Sequence, residues 1–369
     1  PDGRTVAQAL AAVSLGHNAL TSHDDIHVTA TTLPAHLEAV LGLYGFMLSG
    51  ACVLSQEQFD RERNIVISEL RERRTSGGYD DFLAAVFPRG HAYDHHIGGT
   101  PETLARVTAD DVCRYLRDYF TPADALIVVA GAVTEDQVQA AASARLQPLP
   151  ARQAKAPIPA PQAVFGAGAR KTIAGASADR AVGLAFPFPP RDGDEALAAR
   201  VLILLLNGQL ATEAAGREEI TSVGAGLIGG REAPVAVLLA SVRDATNLSV
   251  AEDLLWDTIQ STDEMLRVSH GLEILRQRMR IEAATRVARL TTRGFVYADY
   301  MRHPEQGFLA GEIRRIDGLS PDTVRRLGSR LLARDAAMTL EVEPGPDPVV
   351  ARLRDVFVGS TERRRPDEG

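Results

Sequence analysis

The sequence has few cysteines, few aromatic residues and little that would suit an oxidising environment. Its 369 residues include two cysteines and one tryptophan, and aromatic residues make up 5% of the chain. Two cysteines provide neither a set of metal ligands nor a disulfide framework. We therefore expect Cys52 and Cys113 to be small buried apolar side chains. A reducing, cytoplasmic location is the expectation that goes with unpaired cysteines.

Long apolar runs and an excess of positive charge are also missing. No run of about 18 apolar residues occurs, and the longest candidate, 196–206, has the length of a core helix. The net charge of -8 at pH 7 argues against a nucleic-acid partner, which would favour a basic face. The first residues, Pro1 to Arg4, do not have the pattern of a signal peptide. We therefore expect neither a membrane nor a nucleic acid as a partner.

The hydrophobic content, 45% of the chain, is sufficient for a sizeable core, and the length suits two domains. A stretch rich in proline and alanine near the middle predicts an extended linker at 147–163, because such composition cannot continue a helix. The predicted domains are 1–146 and 164–345, and a tail follows at 346–369.

The two halves end with the same pattern. Thr108 precedes a helix that leads into an apolar strand at 126–130, and Ser320 precedes a helix that leads into a strand at 338–342. The two copies are about 212 residues apart, which suggests an internal duplication, although helix–strand endings also arise by chance. The predicted fold class is α+β, with two duplicated α/β domains that each pack helices on a mixed sheet.

Other elements follow from local patterns. Alternation around a polar turn predicts two strands within 18–32. Apolar periodicity predicts a helix at 33–49 and, in the second half, the elements between residues 181 and 293. These are strands at 181–186 and 235–242, helices at 194–206 and 249–265, and one long basic helix from residue 271 to about residue 293.

A helix that carries two carboxylates is the most distinctive feature of the first half. Ser55, with Gln58 three residues later, has the pattern of a helix start. Glu62 and Glu69 lie seven residues apart, which is two turns of helix and therefore one face. Two acids on one face beside an apolar stripe could form half of a metal site. The alternative is a solvated acidic pair balanced by the neighbouring arginines.

Two groups of histidines are weaker metal candidates. His23 and His27 have the i, i+4 spacing of helical zinc motifs, but their segment is predicted as a turn and a strand, with no glutamate between them. His95 and His96 stand beside two glycines in a predicted loop. We favour surface positions for all four side chains over a role in metal binding.

Four segments, read in order, resemble one family. They are 16–21, 59–69, 91–100 and 107–131, and together they resemble the pitrilysin/insulinase family of zinc peptidases, which includes the mitochondrial processing peptidases. Each segment alone is a weak signal, and the combination is specific. The resemblance implies a two-domain chain that forms half of a clamshell around an extended peptide.

The resemblance also implies a zinc site. The family holds Zn²⁺ with two histidines of an inverted His-x-x-Glu-His motif and a downstream glutamate, and the glutamate of the motif activates water. Glu69 matches the downstream metal ligand, and Glu62 matches a supporting catalytic acid that orients a ligand. The motif itself would fall just upstream of Pro1. Zn²⁺ is therefore expected only if that motif is present.

A peptide-binding role is implied for Asn18, Ala19, Leu20 and Thr21. In the family the equivalent strand edge pairs with the backbone of the substrate, so that the peptide adds as an extra strand. Leu20 would suit the lining of an apolar substrate pocket. The alternative is an ordinary strand inside a sheet.

A partner chain is implied by what the second half lacks. Family members supply an arginine and a tyrosine from the second domain to clamp the substrate. Arg217 could match the arginine, with a surface charge at a helix end as the alternative, and Gly224 stands where the tyrosine is expected. We therefore expect a zinc endopeptidase subunit that hydrolyses extended peptides, such as leader segments, with a homologous partner that supplies the clamp. The alternative is a non-catalytic assembly or peptide-binding subunit.

Overall fold

The computed structural model describes thirteen α-helices and seven strands. The described residues are 4–75, 79–147, 149, 161, 163–166, 168–174, 179–267 and 270–344. The strands are β1 (Gly16–Thr21), β2 (Ile26–Thr31), β3 (Ala169–Ala174), β4 (Arg180–Pro187), β5 (Ile220–Ile228), β6 (Val235–Val242) and β7 (Met338–Glu343). The helices are α1 (Val6–Val13), α2 (Leu37–Leu48), α3 (Gln56–Thr75), α4 (Tyr79–Val86), α5 (Pro101–Leu104), α6 (Ala109–Tyr119), α7 (Glu135–Arg145), α8 (Ala196–Glu213), α9 (Leu248–Arg267), α10 (His270–Ala288), α11 (Leu290–Arg302), α12 (Phe308–Gly318) and α13 (Pro321–Leu331).

The chain divides into two compact units, and each unit takes residues from both halves of the sequence. Unit 1 comprises Pro1–Ile67, Gly99–Ile158 and Arg278–Arg315, and unit 2 comprises Ser68–Gly98, Pro159–Gln277 and Ile316–Gly369. The linear domain boundaries expected from the sequence stay a prediction. The tail at 346–369 and most of the linker at 147–163 lie outside the described residues.

A five-stranded mixed sheet organises unit 2. Its strand order is β3-β7-β4-β6-β5, with β3 and β7 parallel and the other neighbours antiparallel. All eight residues of β6 are buried, which explains why this segment is a continuous apolar run rather than an alternating one. The α+β class with a mixed sheet is thereby confirmed.

By length and composition alone, helix α8 could cross a membrane, since it has 18 residues and a mean hydropathy of 1.3. It nevertheless behaves as a core helix. Leu202, Leu206 and Leu210 are buried within unit 2. Asn207, in the middle of the helix, bonds to the backbone of β5, where it accepts from Ala225 N at 2.7 Å and donates to Ala225 O. A polar side chain that bonds to a neighbouring strand is typical of a helix packed in a protein core.

Residues of the first half complete the core of unit 2. Phe82 and Phe87 are 1% and 2% exposed and join a cluster that includes the sheet residues Val237 and Leu340. Tyr93 is buried beside them, and a Cβ at Gly230 would overlap its ring. Glycine is therefore required at position 230 by the close approach of the tyrosine.

The long basic helix expected at 271–293 is interrupted. Arg289 has extended backbone angles and separates α10 from α11. Two side chains of α11 satisfy the last carbonyls of α10: Thr292 Oγ1 donates to Arg286 O at 2.7 Å, and Arg293 Nε donates to Val287 O at 2.7 Å. The prediction was wrong because side-chain capping ended a helix that composition alone would continue.

Cys52 and Cys113 form a disulfide bond, with their Cα atoms 5.4 Å apart. The bond joins the segment between α2 and α3 to the first half of α6, within unit 1. The expectation of two unpaired buried cysteines was wrong. The two residues are 61 positions apart, so their proximity is a result of tertiary folding that no local pattern reports.

The apolar segment at 126–130 also differs from expectation. It follows a 3-10 turn at Pro122–Asp124 and belongs to neither of the two described sheets. Leu126 is 50% exposed and the four residues after it are half-buried. The prediction of a buried strand was wrong, because a strand needs neighbours and none of the described strands pairs with this segment.

Candidate functional site

The hairpin of β1 and β2 presents an open strand edge. Gly16 to Thr21 pair antiparallel with Thr31 to Ile26, and among the described strands β1 has no other neighbour. All six residues of β1 are exposed, and Leu20 is 58% exposed. Ala19 N–H on β1 donates to Asn18 Oδ1 at 2.9 Å, and this side chain would have to move for Ala19 N–H to bond to an additional strand along the open edge. The expected peptide-binding residues Asn18, Ala19, Leu20 and Thr21 all lie on this edge.

The turn between the two strands is closed by side chains. Ser22 Oγ accepts from the backbone N–H groups of Asp24 and Asp25 at 3.1 and 3.0 Å, and it donates to Asp25 Oδ1 at 2.9 Å. This local bonding is the turn chemistry that serine and aspartate favour. The polar stretch that suggested a turn in the sequence is therefore the turn in the structure.

Helix α11 anchors the tip of the hairpin. Arg302 donates to Asp25 Oδ2 at 2.7 Å, and the ring of Phe295 packs edge-on against that of His27 with centroids 5.2 Å apart. Burial opposes ionisation of Asp25, but the hydrogen bonds from Arg302 and Ser22 and the charge of His27 outweigh it, and the pKa of Asp25 is lowered. Sequence reasoning missed this anchor, because Arg302 is 277 residues from Asp25.

Helix α3 carries the two carboxylates as expected. Ser55 and Gln58 cap its start reciprocally, with Gln58 N donating to Ser55 Oγ at 3.2 Å and Ser55 N donating to Gln58 Oε1 at 3.1 Å. Glu62, in unit 1, is 63% exposed and lies 3.5 Å from Arg61 Nε, and Glu69, in unit 2, is also exposed. Both acids are on one helix and face solvent, and their predicted roles stay predictions.

Glu62 and Glu69 alone do not fit a zinc ion. Zinc sites in proteins use three or more side-chain ligands, with histidine and cysteine prominent among them. Within the described part of the chain, no group of three or more His, Cys, Asp or Glu side chains could hold a metal. The carboxylates would need histidines from another segment.

The other histidines have structural contacts of their own. His27 Nε2 lies 2.9 Å from Asp25 Oδ1, so its ring belongs to the hairpin anchor. His96 Nδ1 accepts from Gly98 N at 2.9 Å in a segment without helix or strand, as expected for a loop. His95 lies in the same loop, 3.8 Å from Asp94.

The expected clamp positions lie in unit 2. Arg217 is half-buried in the turn after α8, where its N–H donates to Ala214 O at 3.1 Å. Gly224 is an interior residue of β5 and stands opposite Leu239 of β6. The structure thus places the arginine candidate at a helix end and the glycine inside a sheet.

Part of the chain matches a protein-family model. Residues 106–266 match the family model described as "Peptidase M16 inactive domain". Among named proteins, the uncharacterized zinc protease YmxG of Bacillus subtilis is 26% identical over 138 residues, which are 37% of this chain and 34% of that protein. The uncharacterized zinc protease SCO5738 of Streptomyces coelicolor is 25% identical over 36% of this chain and 29% of its own length. The matches span about a third of these relatives.

Solved structures share the fold over nearly the whole chain. A protease from Helicobacter pylori superposes with a TM-score of 0.79 at 17% identity, and the match covers 92% of this chain and 84% of that one. The first half of the periplasmic protease PqqL from Escherichia coli gives a TM-score of 0.69 at 16% identity, with 96% and 81% covered. At this level of identity the likeness is one of fold, and it agrees with the resemblance found in the sequence.

Proposed function

Because the chain is a pitrilysin/insulinase-like protein, we propose that it is a subunit of a zinc endopeptidase that acts on extended peptides. The observation that supports this most strongly is the open, fully exposed edge of β1. A peptide that adds to this edge gains main-chain hydrogen bonds whatever its sequence, and the side chain of Leu20 is available to an apolar residue of the peptide. An extended peptide or unfolded leader segment can present such a strand.

On this proposal Glu69 is the glutamate ligand of the zinc, and Glu62 is the supporting acid on the same helix face. The two histidine ligands and the glutamate that activates water would come from a His-x-x-Glu-His motif upstream of Pro1. The reaction would be hydrolysis of a peptide bond by an activated water molecule. The exposure of both carboxylates leaves them accessible to such a segment.

A homologous partner subunit is the second part of the proposal. The glycine at position 224 offers no hydroxyl to stabilise the oxyanion of the reaction. A partner chain that carries the arginine and tyrosine would supply this function. The peptide would then pair with the edge of β1, and the arginine and tyrosine of the partner chain would contact the same peptide.

The alternative is a non-catalytic subunit that binds peptide or stabilises a catalytic sister. The match to a family model described as an inactive domain favours it. The two candidates share the peptide-binding edge and differ in zinc binding, so a test of zinc content separates them.

Replacing Glu69 should remove zinc from the full-length protein, encoded with the codons upstream of Pro1. We expect near-stoichiometric zinc in the parent and a loss of about 10-fold or more in zinc affinity for Glu69→Gln, because one of three protein ligands is gone. Zinc content after dialysis, measured by mass spectrometry of the metal, is the readout. Glu57→Gln, an exposed glutamate in the first turn of the same helix, is the matched control and should retain zinc. Equal zinc in parent and Glu69→Gln would refute the ligand role, and no zinc in either would favour the non-catalytic alternative.

The partner hypothesis predicts activity only in a mixture. The full-length chain alone should cleave an unfolded leader peptide slowly, and addition of a homologous subunit from the same organism should raise the rate by at least about 100-fold, the usual effect of one oxyanion donor. A quenched fluorescent peptide reports the rate. Full activity of the chain alone would contradict the need for a partner.

The compartment also bears on the proposal. A cytoplasmic location stays a prediction, and the Cys52–Cys113 disulfide weighs against it, because disulfides persist mainly where the environment is oxidising. We propose an oxidising compartment as the place of action. Fractionation of cells, with detection of the chain in each fraction, tests this point.

A further inference from the structure

Two contacts attach the tip of the β1–β2 hairpin to helix α11. Arg302 donates to Asp25 Oδ2 at 2.7 Å. The ring of Phe295 lies edge-on to that of His27, the cross-strand partner of Leu20, with centroids 5.2 Å apart. Phe295 and Arg302 are seven residues apart, which is two turns of helix, so they lie on one face of α11. This face, within unit 1, therefore contacts both the turn and the start of β2.

The carboxylate of Asp25 connects α11 to the rest of the hairpin. Its Oδ1 accepts from Ser22 Oγ at 2.9 Å and lies 2.9 Å from His27 Nε2, while Oδ2 accepts from Arg302. The side chains of Asp25 and Arg302 are 24% and 29% exposed, so solvent screens this ion pair less than a fully exposed one. Although burial opposes ionisation, the hydrogen bonds from Arg302 and Ser22 lower the pKa of Asp25, so the ion pair is present at neutral pH.

The rest of the hairpin is lightly held. All six residues of β1 are exposed, and none of the six residues of β2 is buried. At the end opposite the turn, Thr32 Oγ1 donates to Val13 O, and between the two ends the Tyr44 hydroxyl donates to Val28 O at 3.5 Å. A two-stranded hairpin by itself is marginally stable in water. The position of the hairpin tip therefore depends on its contacts with α11.

The strand register places backbone groups for a peptide close to this tip. Ser22 N donates to Asp25 O at 2.9 Å, so these two residues form a hydrogen-bonded pair. Hydrogen-bonded and non-hydrogen-bonded pairs alternate along an antiparallel ladder, so the N–H and C=O groups of Thr21 and Ala19 point to the outer edge of β1. An added peptide strand would bond to these groups. Thr21 directly precedes the turn that α11 holds.

We propose that Arg302 is a positioning residue for peptide binding: its ion pair with Asp25 fixes the hairpin tip on α11 and so presents the outward groups of Ala19 and Thr21 in one place. This inference rests on the proposed peptide-binding role of the β1 edge. It adds to that site a residue 277 positions away from Asp25. Without the ion pair the tip would leave α11 for part of the time, and only the docked fraction would bind peptide well. The role requires neither zinc nor a contact between Arg302 and the peptide.

The peptide affinity of the full-length protein tests this role. A labelled, unfolded leader peptide longer than the six residues of β1 is titrated with protein in the presence of a chelator, and fluorescence anisotropy reports the dissociation constant without cleavage. We expect Arg302→Met to raise this constant about 10-fold, because the apparent constant rises as the docked fraction falls. Arg302→Lys keeps the positive charge and should recover most of the affinity. Arg289→Met, at an exposed arginine beside the start of the same helix, is the matched control and should bind as the parent does.

Substitution of Asp25 tests the same ion pair from its other side. Asp25→Asn should weaken peptide binding at least as much as Arg302→Met, and the double substitution should be no weaker than Asp25→Asn alone, because both changes remove one interaction. Asp24→Asn, at the exposed neighbouring position of the turn, is the control and should leave the affinity unchanged.

Hydrogen exchange separates positioning from a general loss of stability. In Arg302→Met the amides of β1 and β2 should exchange about 10-fold faster than in the parent, and those of α2 and α7, also in unit 1, should exchange at the parent rate. Faster exchange throughout unit 1 would assign Arg302 a purely structural role and overturn the inference.

The remaining outcomes distinguish this inference from the proposed function. Parent-like peptide affinity in Arg302→Met would overturn the inference and leave peptide binding at the β1 edge intact. A parent that binds no peptide would refute the peptide-binding role and the inference with it. A zinc-free parent that binds peptide with the expected dependence on Arg302 would refute the peptidase function and support the inference.

Discussion

Reduction of the Cys52–Cys113 disulfide is expected to lower the free energy of unfolding of the protein by about 4 kcal/mol. The bond closes a loop of 61 residues, and a cross-link over that length removes many conformations from the unfolded chain. Chemical unfolding followed with and without reductant measures the change. The effect is large compared with the total stability of a typical protein, so the reduced chain should unfold at a clearly lower denaturant concentration.

The double substitution Cys52→Ser with Cys113→Ser is the control for this experiment. It should have the stability of the reduced parent and should not respond to reductant. A parent protein with the same unfolding midpoint in both conditions would show that the two thiols are unpaired in solution. Thiol labelling of the denatured, unreduced chain gives an independent count, and we expect no free thiol.

Replacement of Arg286 by methionine is expected to lower the free energy of unfolding by about 3 kcal/mol, because it removes the guanidinium group that forms an ion pair with the buried carboxylate of Glu312. Arg286 of α10 donates to Glu312 Oε1 at 2.7 Å, and Tyr300 of α11 donates to Glu312 Oε2 at 2.6 Å. Glu312 itself is 7% exposed. Burial raises the pKa of Tyr300, and its hydrogen bond to Glu312 and the charge of that residue raise it further, so the tyrosine stays a donor at neutral pH. Equilibrium unfolding in urea is the measurement.

Two further variants isolate the buried charge as the cause. Arg278→Met removes an exposed arginine from the same helix and should change the stability by less than about 0.5 kcal/mol. Adding Glu312→Gln to Arg286→Met removes the buried carboxylate charge and should recover part of the lost stability, as a double-mutant cycle measures. If Arg286→Met lowers the free energy of unfolding no more than Arg278→Met does, the network of Arg286, Tyr300 and Glu312 does not stabilise the packing of α10, α11 and α12.

Short-range rules predicted the elements that depend on neighbouring residues. The capping pair of Ser55 and Gln58 and the buried strand at 235–242 were both read from a few adjacent positions, and the structure confirms them. The helix expected at 271–293 failed because Thr292 and Arg293 cap the helix before them, a bonding choice that propensities do not include. Local composition therefore located elements better than it located their ends.

Features that depend on distant residues were beyond the sequence. The hairpin of β1 and β2 was predicted, but its anchor, the hydrogen bond from Arg302 to Asp25, joins two parts of the chain that no motif connects. The disulfide is of the same kind. The segment at 126–130 shows the opposite error, a strand that was predicted and is not formed. Its residues favour a strand, but strand formation also depends on pairing with other strands. A single sequence indicates which secondary structure a segment favours, and tertiary contacts determine which structure it adopts.

The exchange of segments between the two units has a consequence for biosynthesis. Unit 1 needs Arg278–Arg315, which the ribosome makes after most of unit 2, and unit 2 needs Ser68–Gly98 from the first half. Neither unit can close while only the first half has emerged, so the usual order of folding, N-terminal domain first, is not open to this chain. Apolar residues of the segments that are synthesised first therefore stay exposed until the later segments of the same unit have been synthesised. We therefore expect folding to be largely post-translational, and the nascent chain to be a client of chaperones.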